Sequence, residues 1–219
     1  MHSTPMQRGK FITFEGSEGC GKSTQIQRCV AMLETRGFNV LQTREPGGTP
    51  AGEKIRNLLQ FDEEGTDLTC ESELLLFAAS RAQLVRRVIE PALEKGIWVV
   101  ADRFLDSTTI YQGVGRGLNV DAVKEINSFA VGETMPDLTI LLDLDVETGH
   151  SRAVAASGSV EDRMESNPME FFEKVREGYL RLAAEAPERF AVIDASLTID
   201  EVTAEIESIF NERAGVSLG

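Results

Sequence analysis

The chain has 219 residues, which favours one large domain of mixed helices and strands over two small ones. Lys and Arg number 22 against 36 Asp and Glu, and the formal charge of −14 argues against a broad surface for nucleic acid or an anionic membrane. No apolar run approaches the ~20 residues of a membrane span, and 3 cysteines are too few for a disulfide framework. Residues 1–8 lack the apolar core of a signal peptide, so we expect a reduced, cytoplasmic protein without structural metal.

Short apolar runs predict the β-strands. The run at 97–101 is apolar throughout, as expected for a strand that helices cover on both faces. The predicted strands, in chain order, are residues 11–14, 39–43, 97–101, 138–142 and 190–193.

Helical patterns lie between these strands. Apolar residues repeat at helical spacing from Ile26 to Leu33, in a segment that ends at Gly37. The other helical patterns cover residues 51–60, 71–95 and 168–186, and a last helix opens with the capping-box spacing of Thr198–Glu201.

The alternation of strands and helices predicts a single α/β domain over residues 1–219, with a flexible segment at 1–9. Its expected architecture is a three-layer sandwich, in which helices flank a five-stranded parallel sheet. Ligands of such folds bind beyond the carboxyl ends of the strands, so the residues that follow each strand are the candidates for function.

One glycine-rich motif lies between the first predicted strand and the first predicted helix. Residues 16–23 read GSEGCGKS and match G-x-x-x-x-G-K-[ST] at every fixed position. In such a motif backbone N–H groups surround an anion at a helix N-terminus, the lysine reaches the β- and γ-phosphates, and the serine can bind Mg²⁺. The surrounding residues 1–60 hold 8 basic and 5 acidic side chains, the reverse of the overall balance. We therefore predict a P-loop NTPase fold with ATP bound by Gly16, Ser17, Glu18, Gly19, Cys20, Gly21, Lys22, Ser23 and Thr24.

A P-loop alone does not choose among kinases, GTPases and ATPases. The guanine-reading tetrapeptide N-K-x-D does not occur in this sequence, and the chain is short for a motor ATPase. A small kinase is therefore favoured, and a kinase needs an acceptor site.

Asp102 and Arg103 directly follow the predicted strand at 97–101. A carboxylate there can hold Mg²⁺ or orient the acceptor, and a guanidinium can bind a phosphate through two hydrogen bonds. Phe77 and Arg81 share a helix face and suit a nucleobase, although a core phenylalanine beside a surface arginine fits the same spacing.

Two further segments are candidates, although each also fits an ordinary connection. The turn REPGGT at 44–49 combines a stiff proline with glycines that permit close approach to a ligand. The run YQGVGRG at 111–117 is interpreted as a flexible glycine-rich loop with aromatic, amide and cationic groups.

Taken together, these motifs resemble those of bacterial thymidylate kinases, over essentially the whole chain. The segments occur in the order seen in that family: FEG at 14–16 leading into the P-loop, REPGGT at 44–49, FAASR at 77–81, DR at 102–103 and YQGVGRG at 111–117. The resemblance implies a homodimeric enzyme that uses ATP and Mg²⁺ to convert dTMP to dTDP, in the supply of dTTP for DNA. On the charge balance we expect no nucleic-acid or membrane partner.

The resemblance also implies roles for single residues. Phe77 would stack on thymine, Arg81 and Gln112 would read its polar edge, and Tyr111 would crowd a 2′-hydroxyl. The implied substrate-binding residues are Glu15 and Tyr111 beside the deoxyribose, Pro46 on the sugar, Arg103 on the dTMP phosphate, and Arg44, Phe77, Arg81, Thr108 and Gln112. Some relatives have asparagine at the position of Thr108. The implied metal-binding residues are Ser23 and Asp102.

Residues 152–166 correspond to the lid that covers ATP in the family. Bacterial relatives without an arginine in the P-loop usually carry extra arginines inside the lid, but here only Arg152 and Arg163 flank a small-residue interior. Asp162-Arg163 matches the family's Asp-Arg after the lid turn, so Arg163 is the candidate for stabilising the transferring phosphoryl group. The expected catalytic residues are Lys22, Asp102, Arg103 and Arg163, and Arg152 is expected on adenine or on an ATP phosphate.

Three other functions stay open on the sequence alone. The first is a kinase for another nucleoside monophosphate or a deoxynucleoside. The second is a relative that binds nucleotides but has lost turnover, because its lid has few arginines. The third, an ATPase that binds nucleic acid, is disfavoured by the net charge of −14.

Overall fold

A parallel β-sheet forms the middle layer of the fold. The computed structural model describes residues 7–157 and 167–213. The strands are β1 (Phe11–Glu15), β2 (Val40–Arg44), β3 (Trp98–Asp102), β4 (Leu138–Asp143) and β5 (Phe190–Asp194), in the spatial order β2-β3-β1-β4-β5. All neighbouring strands run parallel. The predicted five-stranded parallel sheet is confirmed.

Helices cover both faces of this sheet. They are α1 (Lys22–Thr35), α2 (Pro50–Gln60), α3 (Cys70–Leu84), α4 (Glu90–Glu94), α5 (Leu105–Thr108), α6 (Val120–Val131), α7 (Val146–Ser157), α8 (Met169–Glu185) and α9 (Ile199–Arg213). A 3₁₀ helix covers Glu63–Asp67, and π-helical turns cover Val85–Ile89 and Thr109–Gly115. Within the described part of the chain, no helix has the length and apolar character needed to cross a bilayer.

Hydrophobic clusters on opposite sides of the sheet hold the layers together. On one side α1 and α9 contribute Ile26, Leu33 and Phe210, all fully buried. On the other side Leu84 and Phe104 are fully buried against β1 and β3. Alternate residues of the central strands enter one cluster or the other, which explains why the segment predicted as the third strand is apolar throughout.

The carboxyl ends of the strands meet at one edge of the sheet. Asp102 of β3 is aligned with Phe14 of β1 and with Arg44 of β2. Asp143 of β4 is likewise aligned with Asp194 of β5. Parallel pairing thus brings together the residues that follow each strand, although they are far apart in sequence.

The interpretation of 111–117 as a flexible loop was wrong. Thr109–Gly115 is a π-helix, and Tyr111, Gln112 and Gly113 within it are buried. The glycines serve close packing here: a Cβ atom on Gly115 would lie 2.5 Å from the ring of Phe171. Glycine therefore lets α8 approach this segment, instead of making the segment flexible.

Smaller differences concern element ends. Strands β2 and β3 each start and end one residue later than predicted, so Asp102 is the last residue of β3 and does not follow it. Residues 1–6 of the expected flexible segment 1–9 lie outside the described residues, and at its end the N–H of Gly9 donates to the carbonyl oxygen of Leu93 at 2.8 Å. Residues 152–157 of the expected lid belong to α7, and residues 158–166 lie outside the described part of the chain.

Candidate active site

The P-loop turns around the N-terminus of α1. Gly16, Gly19 and Gly21 have φ angles of 136°, 70° and 91°, in the region that favours glycine. Lys22 folds over the loop and donates from Nζ to the carbonyl oxygens of Gly16 (3.0 Å) and Ser17 (2.7 Å). The strand, loop and helix setting of the motif is as predicted, and the lysine amine is held where phosphate oxygens can replace the carbonyl oxygens.

A single cleft of about 610 Å³ extends from the P-loop to α3, a size typical of small-molecule sites. It brings together residues predicted from six separate segments of the sequence. Those that line it are Glu18, Gly19, Gly21, Lys22, Ser23, Thr24, Arg44, Pro46, Phe77, Arg81, Asp102, Arg103, Thr108, Tyr111, Gln112 and Arg152. Glu15, Gly16, Ser17 and Cys20 are buried below the surface of the cleft and do not line it.

Arg103 lies where the P-loop meets the rest of the cleft. Its Nη2 donates to Oε1 of Glu18 at 2.7 Å, and its Nη1 donates to Oγ of Ser107 at 3.1 Å. The guanidinium also lies over the ring of Tyr111, 5.0 Å from its centroid. The hydroxyl of Tyr111 donates to the same Glu18 carboxylate at 2.9 Å, and burial raises the pKa of this tyrosine, so the hydroxyl keeps its proton. These contacts hold a cation against Glu18 of the P-loop.

The opposite end of the cleft is built around Arg81. This side chain is 1% exposed and does not reach the surface, which rules out the alternative of a surface arginine beside a core phenylalanine. Its Nε and Nη2 pair with Oε2 of Glu45 at 2.8 and 2.6 Å. Nη2 also donates to Oγ1 of Thr108 at 2.8 Å, and Nη1 donates to Oδ1 of Asn127 at 2.6 Å. These contacts leave one Nη1 hydrogen without an acceptor among the described residues. Half-buried Phe77 lies one helical turn away.

Gln112 completes this end of the cleft. Its side chain is 1% exposed, and its Nε2 donates to Oε1 of Glu73 at 3.0 Å. Two other predicted residues, Arg44 and Pro46, line the cleft from the β2 side. Arg44 forms an ion pair with Glu53 at 2.8 Å, and both of these side chains are about half exposed.

The family of the chain follows from comparison with known proteins. The thymidylate kinase family model matches residues 14–206. The chain is 47% identical over 209 residues to a thymidylate kinase of Geobacter sp. (strain M21), which spans 94% of this chain and 92% of that relative. It is 52% identical over 190 residues to one from Desulfosudis oleivorans, with 84% and 88% covered.

The chain belongs to the thymidylate kinase family.

A solved structure agrees with this membership. The crystal structure of thymidylate kinase from Ehrlichia chaffeensis is 34% identical in sequence, superposes with a TM-score of 0.75, and covers 93% of this chain and 99% of that one. The resemblance drawn from the motifs and the predicted P-loop fold are both confirmed.

Within this thymidylate kinase cleft, Glu15 occupies a place that the motifs did not suggest. It is fully buried and does not line the cleft, and its expected place beside a deoxyribose stays a prediction. Its carboxylate accepts hydrogen bonds from the backbone N–H of Phe104 (2.8 Å), from Ser107 (2.6 Å) and from Tyr179 (2.8 Å). Burial, together with the charge of nearby Asp106, raises its pKa from 4.5 to about 7. Glu15 therefore supports the floor of the cleft.

The residues expected to hold magnesium fit that ion. Asp102 lines the cleft, and its Oδ1 is buried without a hydrogen-bond partner among the described residues. Ser23 lies at the start of α1 on the same cleft. Carboxylate and hydroxyl oxygens are the hard ligands that Mg²⁺ prefers, usually together with phosphate oxygens and water.

The structure describes only one of the two arginines of the expected lid. Arg152 belongs to α7, lines the cleft and donates to the carbonyl oxygen of Ala195 at 3.0 Å. Arg163 lies outside the described residues, so its expected role rests on the sequence alone.

Several residues that shape the cleft were missed by sequence reasoning. Glu73 and Asn127 hold Gln112 and Arg81, and Asp106 forms two hydrogen bonds with Arg189, at 2.5 and 2.9 Å. Each of the first three is polar yet at most 2% exposed. A polar residue at an inward position of the predicted helix at 71–95 was the available signal for Glu73, but it does not identify the partner. No helix was predicted around Asn127.

Proposed function

We propose that ATP binds at the P-loop end of the cleft and dTMP at the Phe77 end, with the γ-phosphoryl group between Lys22 and Arg103. As a member of the thymidylate kinase family, the chain is a dTMP kinase. The observation that supports this arrangement is the continuous cleft lined by both cations. Glu18 connects the ATP end to the dTMP end, because its carboxylate accepts hydrogen bonds from Arg103 and from Tyr111.

The Phe77 end suits the pyrimidine. Phe77 offers a half-buried aromatic face for stacking, and the remaining Nη1 hydrogen of Arg81 is a donor for a carbonyl oxygen of thymine. Gln112 supplies a second polar group to the same edge. Thr108 supports Arg81 by accepting its Nη2 hydrogen, so we assign it an indirect role in recognition.

Catalysis in this arrangement is mostly positioning and charge stabilisation. A phosphate oxygen of dTMP attacks the γ-phosphorus, the bond from that phosphorus to the β,γ-bridging oxygen breaks, and ADP carries away the electron pair. The attacking oxygen is already ionised near neutral pH, so the protein needs no strong base. Lys22 and Arg103 counter the repulsion between the two anions. A magnesium ion held through Ser23 and Asp102 would neutralise further charge on the phosphate oxygens.

The lid would complete the charge stabilisation. The P-loop contains no arginine, and its Glu18 forms an ion pair with Arg103. We therefore assign contact with the transferring phosphoryl group to Arg163, and contact with ATP to Arg152, which lines the cleft near the P-loop.

A substrate panel tests the proposed function. Purified protein with ATP and Mg²⁺ is offered each nucleoside monophosphate and each deoxynucleoside, and ADP formation is measured. We expect dTMP to be the preferred acceptor, purine monophosphates to be rejected, and Lys22→Ala to abolish turnover. Lys174→Ala, on the exposed face of α8, is the matched control. Folded protein that binds ATP and dTMP but forms no dTDP would contradict the proposal and favour a relative without turnover.

We also propose a cytoplasmic homodimer that forms through α3 and α6. These helices pack side by side, and they leave Leu75 56% exposed and Phe129 88% exposed. Removing such side chains from water favours association. Light scattering should give twice the 24.0 kDa chain mass, and Phe129→Glu should shift the protein to the monomer. A monomeric wild type would contradict the proposal, and cell fractionation checks the location.

A further inference from the structure

Glu73 is a buried carboxylate in the wall of the candidate pyrimidine pocket. It lies in the first half of α3, and 2% of its surface is exposed. Its Oε1 accepts from Nε2 of Gln112 at 3.0 Å and from Nε of Arg116 at 3.3 Å. The residue is therefore held between a group that faces the cleft and a cation.

These contacts determine which way the Gln112 amide points. Arginine remains protonated in proteins, so Arg116 can only donate, and the Glu73 oxygen that it shares with Gln112 is an acceptor. The amide therefore directs its NH₂ group toward Glu73. The carbonyl oxygen of Gln112 is then on the opposite side of a planar group. Among the described residues no donor reaches that oxygen, and Gln112 lines the cleft.

The orientation of this amide matters for pyrimidine recognition. Thymine presents an N3–H donor beside its O4 acceptor, whereas cytosine presents an N3 acceptor beside a 4-amino donor. A carbonyl oxygen from Gln112 and a guanidinium hydrogen from Arg81 match the first pattern. With cytosine the same pair would place acceptor against acceptor and donor against donor, leaving polar groups unpaired, which strongly disfavours a ligand.

We propose that Glu73 is a positioning residue that selects thymine-type over cytosine-type monophosphates, by keeping the carbonyl oxygen of Gln112 toward the cleft. Glu73 itself does not line the cleft and acts through Gln112. This inference rests on the proposed function, because it assumes that the pyrimidine lies at the Phe77 end.

Glu73→Gln tests the proposal, because it keeps the shape of the side chain but can both donate and accept. The Gln112 amide can then pair in either orientation. We expect the ratio of kcat/KM for dTMP to that for dCMP to fall by about tenfold or more. The change should come from KM for dTMP, with kcat altered by less than about threefold. The matched control is Glu71→Gln, an exposed residue of the same helix, which should leave the ratio unchanged.

An exchange variant keeps the proposal testable if Glu73→Gln folds poorly. In Glu73→Gln/Gln112→Glu, the new carboxylate at position 112 can only accept, so an oxygen again faces the cleft. In Gln112→Glu alone two carboxylates adjoin, which favours a proton on one of them, and a protonated carboxyl can turn a donor toward the cleft. We therefore expect the double variant to discriminate between dTMP and dCMP better than Gln112→Glu alone. Equal discrimination in the two variants would overturn the proposal.

Calorimetric measurement of dTMP and dCMP binding, without ATP, distinguishes an error in the role of Glu73 from an error in the proposed function. A Glu73→Gln variant that keeps the wild-type ratio of affinities overturns the role of Glu73 alone. Wild type that binds neither monophosphate overturns the proposed function, and with it the pocket.

Discussion

Glu15 offers a pH-dependent test of how the floor of the cleft is built. Its carboxylate is fully buried and accepts from Phe104, Ser107 and Tyr179. Burial and, to a smaller extent, the charge of Asp106 outweigh the lowering by Arg103 and the two hydroxyl hydrogen bonds, and together these effects raise its pKa to about 7. The folded protein therefore holds a proton on Glu15 in a pH range where the unfolded chain has lost it.

The perturbation is Glu15→Gln, which preserves size and leaves an oxygen for the N–H of Phe104. The amide nitrogen can donate to the hydroxyls of Ser107 and Tyr179, which also accept. In wild type, the folded state binds more protons at this site between pH 4.5 and about 7, so the free energy of unfolding falls as the pH rises through that window. At about 1.4 kcal/mol for each pH unit, the displacement of the pKa corresponds to roughly 3 kcal/mol.

The assay is urea unfolding of both proteins at fixed concentration, from pH 4.5 to 8. Other titrating groups act equally in both proteins, so the difference in free energy of unfolding isolates Glu15. We expect wild type to lose roughly 3 kcal/mol relative to the variant as the pH rises to about 7, with no further change above it. A difference that stays constant over the whole range would refute the raised pKa and the buried environment on which it depends.

Three further substitutions test other parts of the cleft. Arg81→Lys cannot reproduce the paired contact with Glu45, so we expect KM for dTMP to rise about tenfold or more, measured by steady-state kinetics. Asp106→Asn leaves the largely buried Arg189 without its charged partner, and we expect the free energy of unfolding to fall by about 3 kcal/mol in urea. Arg163→Ala should lower kcat by on the order of 10³ and change KM for dTMP much less.

A specific outcome of each measurement would contradict the role given to Arg81, Asp106 or Arg163. Unchanged KM in Arg81→Lys would place the pyrimidine elsewhere. Wild-type stability of Asp106→Asn would mean that its pair with Arg189 contributes little. A kcat near wild type in Arg163→Ala would remove that residue from the reaction.

The sheet and the P-loop could be predicted because their signals are local. A fully buried parallel strand is a short apolar run, and the phosphate-binding motif is contiguous in sequence. Parallel strands have their carboxyl ends at the same edge of a sheet. Arg44 and Asp102 could therefore be placed together at that edge before any contact was known.

The remaining parts of the site depend on contacts between distant segments. Gln112 and Glu73 are 39 positions apart, and neither residue signals that the other is its partner. The π-helix at Thr109–Gly115 resembles a loop in sequence, because glycines that permit close packing against Phe171 look the same as glycines that permit flexibility. The burial of Glu15 was likewise hidden, since Ser107 and Tyr179 reach it from other elements.

Competition by a compound that joins adenosine and thymidine through a chain of phosphates tests most directly whether one cleft holds both substrates. If ATP and dTMP occupy its two ends with their phosphates facing each other, the compound should compete with each substrate and bind more tightly than either nucleotide alone. Competition with only one substrate, or an affinity no better than that of ADP, would contradict a shared cleft.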